Sequence, residues 1–478
     1  MGLRTDTIKG VIWAGLGTVG SGIIGFLITI ILARFLTPED FGLIEVILSF
    51  VVVSEVLVDC GLSKAIIRDK EISQIDLSTV FYLNTIIAAL LYAVIFVSAP
   101  FIADFYSTNQ EFVILLRVLS LKILLDAISF TQIALCNRNM RFRGLSIITV
   151  ISMFLSSLVS LAFIYCGLGI WALVAYYLML SFFKTLLVNI WMRWRPTLAF
   201  DARKAKDFIG FGGPLMVVQV IDKLVSSGES LVVGKVYSKS DLGYFSQARK
   251  FDALVIQTLL GIVQKVTYPA LSKTKTEEQL TIGYRGVMQV CLWAIMPVAC
   301  FTFLNAETFM CTIFGPQWGA SAEYLRLFSI FSLIFPLHSI CFNIFLVVGE
   351  TKQLMYISIL KQCIRIVVIL VTIKIGLYYF TVGIVAVMFL TSMVYIYYGS
   401  KLIHLPIKFL LTDNINTGIC SILSVGLAKF ISSMIGFDGL VEFLVIFVLS
   451  ILLYWLLNML LKNNAYKLII QILKNSIK

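Results

Sequence analysis

Charge is scarce in this sequence. Asp, Glu, Lys and Arg make up 13% of its 478 residues, where a soluble domain carries roughly a quarter. Histidine is scarcer still. His338 lies in an apolar run and His404 in a short turn, neither beside a Ser/Asp or metal-ligand pattern, so hydrolytic triads and zinc chemistry have little to build on. The nine cysteines (Cys60, Cys136, Cys166, Cys291, Cys300, Cys311, Cys341, Cys363, Cys420) stand singly, mostly within apolar runs, with no CxxC or Cys/His pairing. They read as small core hydrophobes rather than a disulfide framework or a metal site.

Phosphate-binding loops are present in spelling only. Gly15-x-Gly17-x-x-Gly20 has the letters of a dinucleotide fingerprint, but that motif needs a strand before it and an acidic residue about 20 positions on. The preceding KGVIWA is a poor strand, and Gly17, Ser21 and Gly25 lie four apart on one helix face, which is the spacing that lets two membrane helices approach closely. Gly228-Glu-Ser-Leu-Val-Val-Gly234-Lys235 has one residue too many between its glycines for a Walker loop, and Val236 where Ser or Thr is required. No ATPase is expected.

What is abundant is apolar surface: 59% of the residues are hydrophobic. Windows of about 19 residues pick out fourteen runs, approximately 11–33, 41–62, 79–102, 112–135, 145–166, 169–190, 208–234, 242–268, 284–304, 322–348, 353–375, 378–399, 413–434 and 440–461. Each can cross a hydrocarbon layer about 30 Å thick, so the expected class is an all-α polytopic membrane protein of about fourteen transmembrane helices. The first run is too long for the apolar part of a secretory leader and lacks a convincing cleavage site, and is expected to remain as a spanning helix. The 13% aromatic content suits interfacial belts and cavity linings.

The cations fix an orientation. Twenty-three of the 38 Lys and Arg fall in the even-numbered connections and the two ends, and only Arg34, Lys235, Lys239 and Lys374 in the odd-numbered ones. By the positive-inside rule both ends face the cytoplasm. The net charge of +12 is then largely topology, aided by attraction to anionic lipid, and implies no nucleic-acid partner.

A repeat is also visible. After the first run comes Arg34-Phe-Leu-Thr-Pro-Glu-Asp40-Phe-Gly42-Leu, and after the seventh Lys235-Val-Tyr-Ser-Lys-Ser-Asp241-Leu-Gly243-Tyr, with an offset of 201 at every matched position. Gly167-Leu-Gly-Ile-Trp-Ala-Leu-Val is echoed more loosely by Gly376-Leu-Tyr-Tyr-Phe-Thr-Val-Gly-Ile-Val. Six runs separate the copies, so both share one orientation and are related by an axis along the membrane normal. The expected domains are a six-helix lobe at 1–200, a second at 201–405, and two further helices with a tail at 406–478, the two pseudo-symmetric lobes enclosing a central cavity. The linker is expected at Trp191 to Asp207, which holds Pro196 and the Arg203-Lys204-Ala205-Lys206 run.

The remaining eleven cations lie inside apolar runs. Lys184, Lys265, Arg326 and Lys429 are near run ends, where a long side chain reaches water. Arg117, Lys122, Lys223, Arg249, Lys250, Lys361 and Arg365 are deeper, where each charge costs about 2.5 to 3.5 kcal/mol on the insertion scale, and they are candidates for contacts with an anionic guest in a wet cavity. Lys122 has Asp126 four positions on, and Arg249 has Asp252 three on, so an internal ion pair is an open alternative for each. Lys361 and Arg365 are four apart with no acid in their run, which points to an anionic guest or a facing carboxylate. Asp222 with Glu229, and Glu55 with Asp59, share helix faces and are candidates for coupling transport to a proton or Na⁺, a structural ion pair being open for each. No metal site and no other cofactor is expected.

Several segments together resemble the polysaccharide flippases of the multidrug/oligosaccharidyl-lipid/polysaccharide exporter superfamily: ARFLTPEDFGLIEV (33–46), DCGLSKAIIRDKE (59–71), LCNRNMRFRGLS (135–146), GLGIWALV (167–174), the stretch 211–273 from Phe211 through ESLVVGKVYSKSDLGYFSQARK to YPALSK, and FGPQWGASAEYLRLFS (314–329). The resemblance covers about residues 8–400, and the family pattern usually has Asp where Glu229 stands. It implies alternating access in a bacterial inner membrane, movement of an undecaprenyl-diphosphate-linked oligosaccharide from the cytoplasmic to the outer leaflet, and work alongside polysaccharide polymerase and chain-length proteins. Lys223, Arg249, Lys250, Lys361 and Arg365 would then hold the pyrophosphate and acidic sugars while the polyprenyl tail stays in lipid, Arg being suited to bidentate phosphate contact. A multidrug antiporter would share the bundle but calls for a cavity dominated by carboxylates. An integral-membrane glycan polymerase or ligase calls for a large outward loop, whereas the longest here, about Asn305 to Ser321, has Glu307 as its one charge.

Overall fold

A computed structural model describes residues 2–68, 71–271, 277–348, 350–406, 408, 412, 414–461, 463 and 465–470. Among them there is no strand. The helices are α1 (Gly2–Phe35), α2 (Pro38–Asp59), α3 (Leu62–Arg68), α4 (Gln74–Phe105), α5 (Gln110–Arg138), α6 (Phe142–Tyr165), α7 (Trp171–Met192), α8 (Ala202–Val236), α9 (Lys239–Leu271), α10 (Glu277–Leu304), α11 (Ala306–Phe309), α12 (Ser321–Ser332), α13 (Phe335–Val348), α14 (Thr351–Thr372), α15 (Leu377–Leu402), α16 (Ile415–Ile435) and α17 (Gly439–Leu460).

Local chemistry sets the starts. Thr37 and Asp40 close a capping box on α2, with Pro38 in its first turn, and Ser73 with Asp76 does the same for α4. The Asn109 side chain accepts from the Phe112 amide to begin α5, and the Asp201 carboxylate accepts from Arg203 and Lys204 to begin α8. The run expected at 322–348 is divided between α12 and α13, which meet at a bend of 46°. The cause is Pro336, which has no N–H for the Ser332 carbonyl and whose ring crowds it.

Among the described residues nine helical spans are long and apolar enough to cross a membrane, ten if α12 with α13 counts as one. Helices α1, α5, α8 and α9 contain 34, 29, 35 and 33 residues, and at about 1.5 Å per residue each exceeds a hydrocarbon layer of about 30 Å. Thirteen of the fourteen expected runs therefore fall on long helices, and the run at 322–348 is shared by the shorter α12 and α13. Surface and interior are reversed relative to a soluble protein. On α6, Ser152, Ser156 and Ser160 are buried while Phe154 and Leu158 are exposed; on α17, Ser450 and Asn458 are buried while Leu444, Val448, Leu452 and Leu456 are exposed. With lipid as solvent, helices join through small and polar residues and turn their large apolar ones outward.

The chain divides into two compact units, Met1–Ser246 and Gln247–Lys478. In the first, α6 packs on α1 and α7, α5 lies against α4, α7 and α2, and α8 packs against α2, α3 and α4. The α1–α6 seam depends on Gly17, where a Cβ would lie 2.2 Å from the Ser146 hydroxyl, and Gly25 faces Met153 in the same seam. Helix α1 runs through Gly15, Gly17 and Gly20, so these glycines form no phosphate loop, and Gly17 serves helix packing. In the second unit α10 carries both α12 and α16, and α15 packs on α12, α13 and α14. The pair α16–α17 is fastened by a core of Cys300, Phe301, Val425, Ala428 and Ile446, and by the Tyr454 hydroxyl donating to the Trp293 carbonyl at 2.8 Å.

Candidate functional site

The two copies of the sequence repeat meet in space. Ser238 and Asp241 form a capping box ahead of α9, as Thr37 and Asp40 do ahead of α2. Between these turns the backbones touch. A Cβ on Gly42 would lie 1.9 Å from the Lys239 carbonyl oxygen, and a Cβ on Gly243 would lie 1.9 Å from the Pro38 carbonyl oxygen. The two contacts are one contact seen from each side, because Pro38 to Lys239 and Gly42 to Gly243 are both the repeat offset of 201. Lys239 donates to the carbonyls of Tyr106 at 3.0 Å and Gly234 at 2.8 Å, and Lys235 donates to the Phe105 carbonyl while lying over its ring. Two of the four cations in odd-numbered connections therefore tie this seam to the end of α4.

Deeper in the first unit, Lys122 on α5 is held between two carboxylates, Glu55 of α2 and Asp126 one turn along α5 at 2.6 Å. The side chains of Lys122, Glu55 and Asp126 are 16%, 24% and 13% exposed. Ionised, this set holds one cation and two anions, a net negative charge in a low-dielectric setting. Asp59, one turn beyond Glu55, is used locally: its carboxylate accepts from the amide and hydroxyl of Ser63 at the start of α3. Arg117 donates from Nε to the Phe96 carbonyl at 3.1 Å and lies 4.2 Å over the Phe96 ring.

On α8, Glu229 is fully buried, whereas Asp222 and Lys223 are exposed. Beside Glu229, Ser230 donates at 3.4 Å to Glu45 of α2, itself buried. Glu45 escaped the sequence reading. Its signal was a carboxylate inside the apolar run that begins at Phe41, whereas Glu55 stood out by sharing a helix face with Asp59, four positions on.

The other candidate cations belong to the second unit. Arg249 is half-buried and Lys250 exposed on α9; Lys361 and Arg365 are half-buried on one face of α14, with Ser358 and Gln362 between and beside them. Ser358 meets the Tyr395 hydroxyl at 2.9 Å, and Ser392 meets His338 Nδ1 at 3.1 Å, so α13, α14 and α15 join through polar groups next to these cations. The Ser332 hydroxyl donates to the Asp252 carboxylate, lying 2.7 and 2.8 Å from its two oxygens. Two of the run-end cations find local acceptors: Lys429 donates to the Leu304 carbonyl at 2.6 Å, and Arg326 lies 3.4 Å from Glu307. No group of three His, Cys, Asp or Glu side chains suited to a metal occurs among the described residues.

Comparison with known proteins gives a consistent result. The sequence pattern of the family described as "Polysaccharide biosynthesis protein" matches residues 31–323. The teichuronic acid biosynthesis protein TuaB of Bacillus subtilis is 24% identical over 341 residues, covering 70% of this chain and 69% of that protein. The lipopolysaccharide biosynthesis protein WzxC of Escherichia coli is 26% identical over 340 residues, covering 70% and 68%. Among solved structures, the lipid II flippase MurJ in an inward closed conformation superposes with a TM-score of 0.77 at 15% identity, over 94% of this chain and 98% of that one. An inward-facing multidrug transporter of the MATE family gives 0.64 at 16% identity over 80% and 94%.

Proposed function

Because this chain belongs to the polysaccharide biosynthesis protein family, and is a multi-pass membrane protein with a transporter fold, we propose that it carries undecaprenyl-diphosphate-linked oligosaccharide units from the cytoplasmic to the outer leaflet of a bacterial inner membrane, with both chain ends in the cytoplasm. The observation that carries this reading is the position of the family match, which spans residues 31–323 and so takes in α8 and α9 with Lys223, Arg249 and Lys250. A lipid pyrophosphate concentrates negative charge, and cations in a low-dielectric cavity attract it far more than surface cations would. Lys361 and Arg365 lie beyond the matched segment and enter on their spacing alone. Arg117 joins them as an outlying contact.

The repeat supports two lobes, 1–200 and 201–405, that alternate in exposing the cavity, the cargo biasing the two states through its different affinity for each. Glu55, with Lys122 and Asp126, is the leading candidate for ion coupling because it already stands in a set with one charge unbalanced; Asp222, Glu229 and Asp59 are further candidates. Lys122 is thereby moved from cargo contact to coupling.

Deletion of the gene followed by analysis of lipid-linked oligosaccharides tests the function. Complete units accumulating on the cytoplasmic leaflet support it, and unpolymerised units on the outer leaflet point to a polymerase instead. Lys223→Ala and Arg249→Ala should each reduce surface glycan at least about tenfold at unchanged protein level, the loss of roughly one charge-assisted contact of about 1.4 kcal/mol or more. Unchanged export would remove the residue from the mechanism.

A further inference from the structure

Between α6 and α7, at the end where α7 stops, lies a groove of about 520 Å³, within the range of about 300–1,000 Å³ usual for ligand sites. Its walls are apolar, chiefly Ile147 and Ile151 of α6 and Leu187 and Ile190 of α7, and its mouth carries Trp191 and Arg193. The groove exists because of Gly144, where a Cβ would fall 2.2 Å from the Trp191 ring; the ring lies against bare backbone and forms one side of the mouth. Arg193 closes α7 in the left-handed region at φ 52°. A second guanidinium, Arg141, reaches the same end, with Nη1 4.0 Å from Met192 Sδ. Among the described residues neither Arg141 nor Arg193 takes part in an ion pair.

We propose that this groove binds one anionic phospholipid, with an acyl chain along the isoleucines and the phosphate between Arg141 and Arg193. Charge and depth agree: two guanidiniums and an indole stand at headgroup level, and the isoleucines descend from them into the hydrocarbon. Length separates a phospholipid from a carrier polyprenyl. From Gly144 to Ile151 the groove runs about 10 Å along α6 at 1.5 Å per residue, within a single leaflet of about 15 Å. It takes the upper part of an acyl chain and would leave most of a long polyprenyl unsupported. The site is also built from helices other than those bearing Lys223, Arg249, Lys361 and Arg365, so it does not rest on the proposed transport function.

The test uses the purified full chain in nanodiscs of phosphatidylcholine containing a minority of phosphatidylglycerol, with retained lipid read by native mass spectrometry. One phosphatidylglycerol retained per chain is expected, with preference over phosphatidylcholine falling about fivefold for Arg193→Ala and again for Arg141→Ala, each arginine near the membrane surface contributing about that factor. Ile147→Trp, which fills the groove and keeps both charges, should abolish the preference. Ile190→Trp, at a position 59% exposed and so tolerant of bulk, should do the same if Ile147→Trp fails to fold. Equal retention of the two phospholipids, phosphatidylglycerol still preferred in the filled grooves, or displacement by undecaprenyl phosphate at concentrations where added phosphatidylglycerol does not compete would each overturn the assignment.

Discussion

Gly42→Ala and Gly243→Ala should each cripple the protein, and to the same degree. At both positions the new methyl would lie 1.9 Å from a backbone carbonyl oxygen, and a main chain has no alternative rotamer with which to yield. The turns ahead of α2 and α9 must part, a cost of about 1 to 3 kcal/mol by analogy with overpacked cores. If closure of this seam belongs to the transport cycle, surface glycan falls by at least about tenfold, the equivalent of about 1.4 kcal/mol, with a lowered melting temperature in detergent. Gly210→Ala is the control, since nothing lies within 4 Å of a Cβ there and alanine favours a helix. The equality is the sharper claim. The two contacts are images of one another, so a strong phenotype at one glycine and none at the other would mean that the seam does not act as a symmetric unit.

The second large effect is at Lys122. Replacing it with methionine leaves Glu55 and Asp126 facing one another with no cation between them, and breaking a buried pair in this way costs about 3 to 5 kcal/mol; the chain should be recovered from membranes in much reduced yield. Adding Glu55→Gln and Asp126→Asn removes the stranded charges, and yield should return. Export then discriminates between two roles. A triple variant that folds and still moves glycan at the parental rate has lost a purely structural ion pair. One that folds and is dead, or that has lost its response to an imposed ion gradient, has lost the coupling group.

Much of the architecture was legible because the bilayer permits few solutions. A run of about 20 apolar residues has to be helical where no water can satisfy its backbone, so thirteen of the fourteen runs lie on single long helices with ends displaced by a few residues, and the other is shared by α12 and α13. The role of Gly17 and Gly25 followed from their spacing, since residues four apart share a helix face. The bend between α12 and α13 was legible in principle from Pro336, but hydropathy averaged over a window passes across a single proline. What the sequence could not supply was partnership over distance. Lys122 had Asp126 within one turn, which local spacing displays, whereas its other partner, Glu55, stands on another helix 67 residues earlier. Likewise the offset of 201 announced two related turns without saying that they would abut, because a repeat fixes likeness and leaves contact to the tertiary fold.

That abutment has a consequence for how such a chain could have arisen. A contact in which Pro38 meets Gly243 and Lys239 meets Gly42 is unchanged when the two turns are exchanged, which is the geometry of an isologous dimer. It is made of main-chain atoms, so it asks nothing of the two sequences beyond a glycine and a helix start at matching places. Side chains elsewhere in the copies were free to drift apart after duplication, and a single ancestral copy would already have carried the surface with which to pair with its twin.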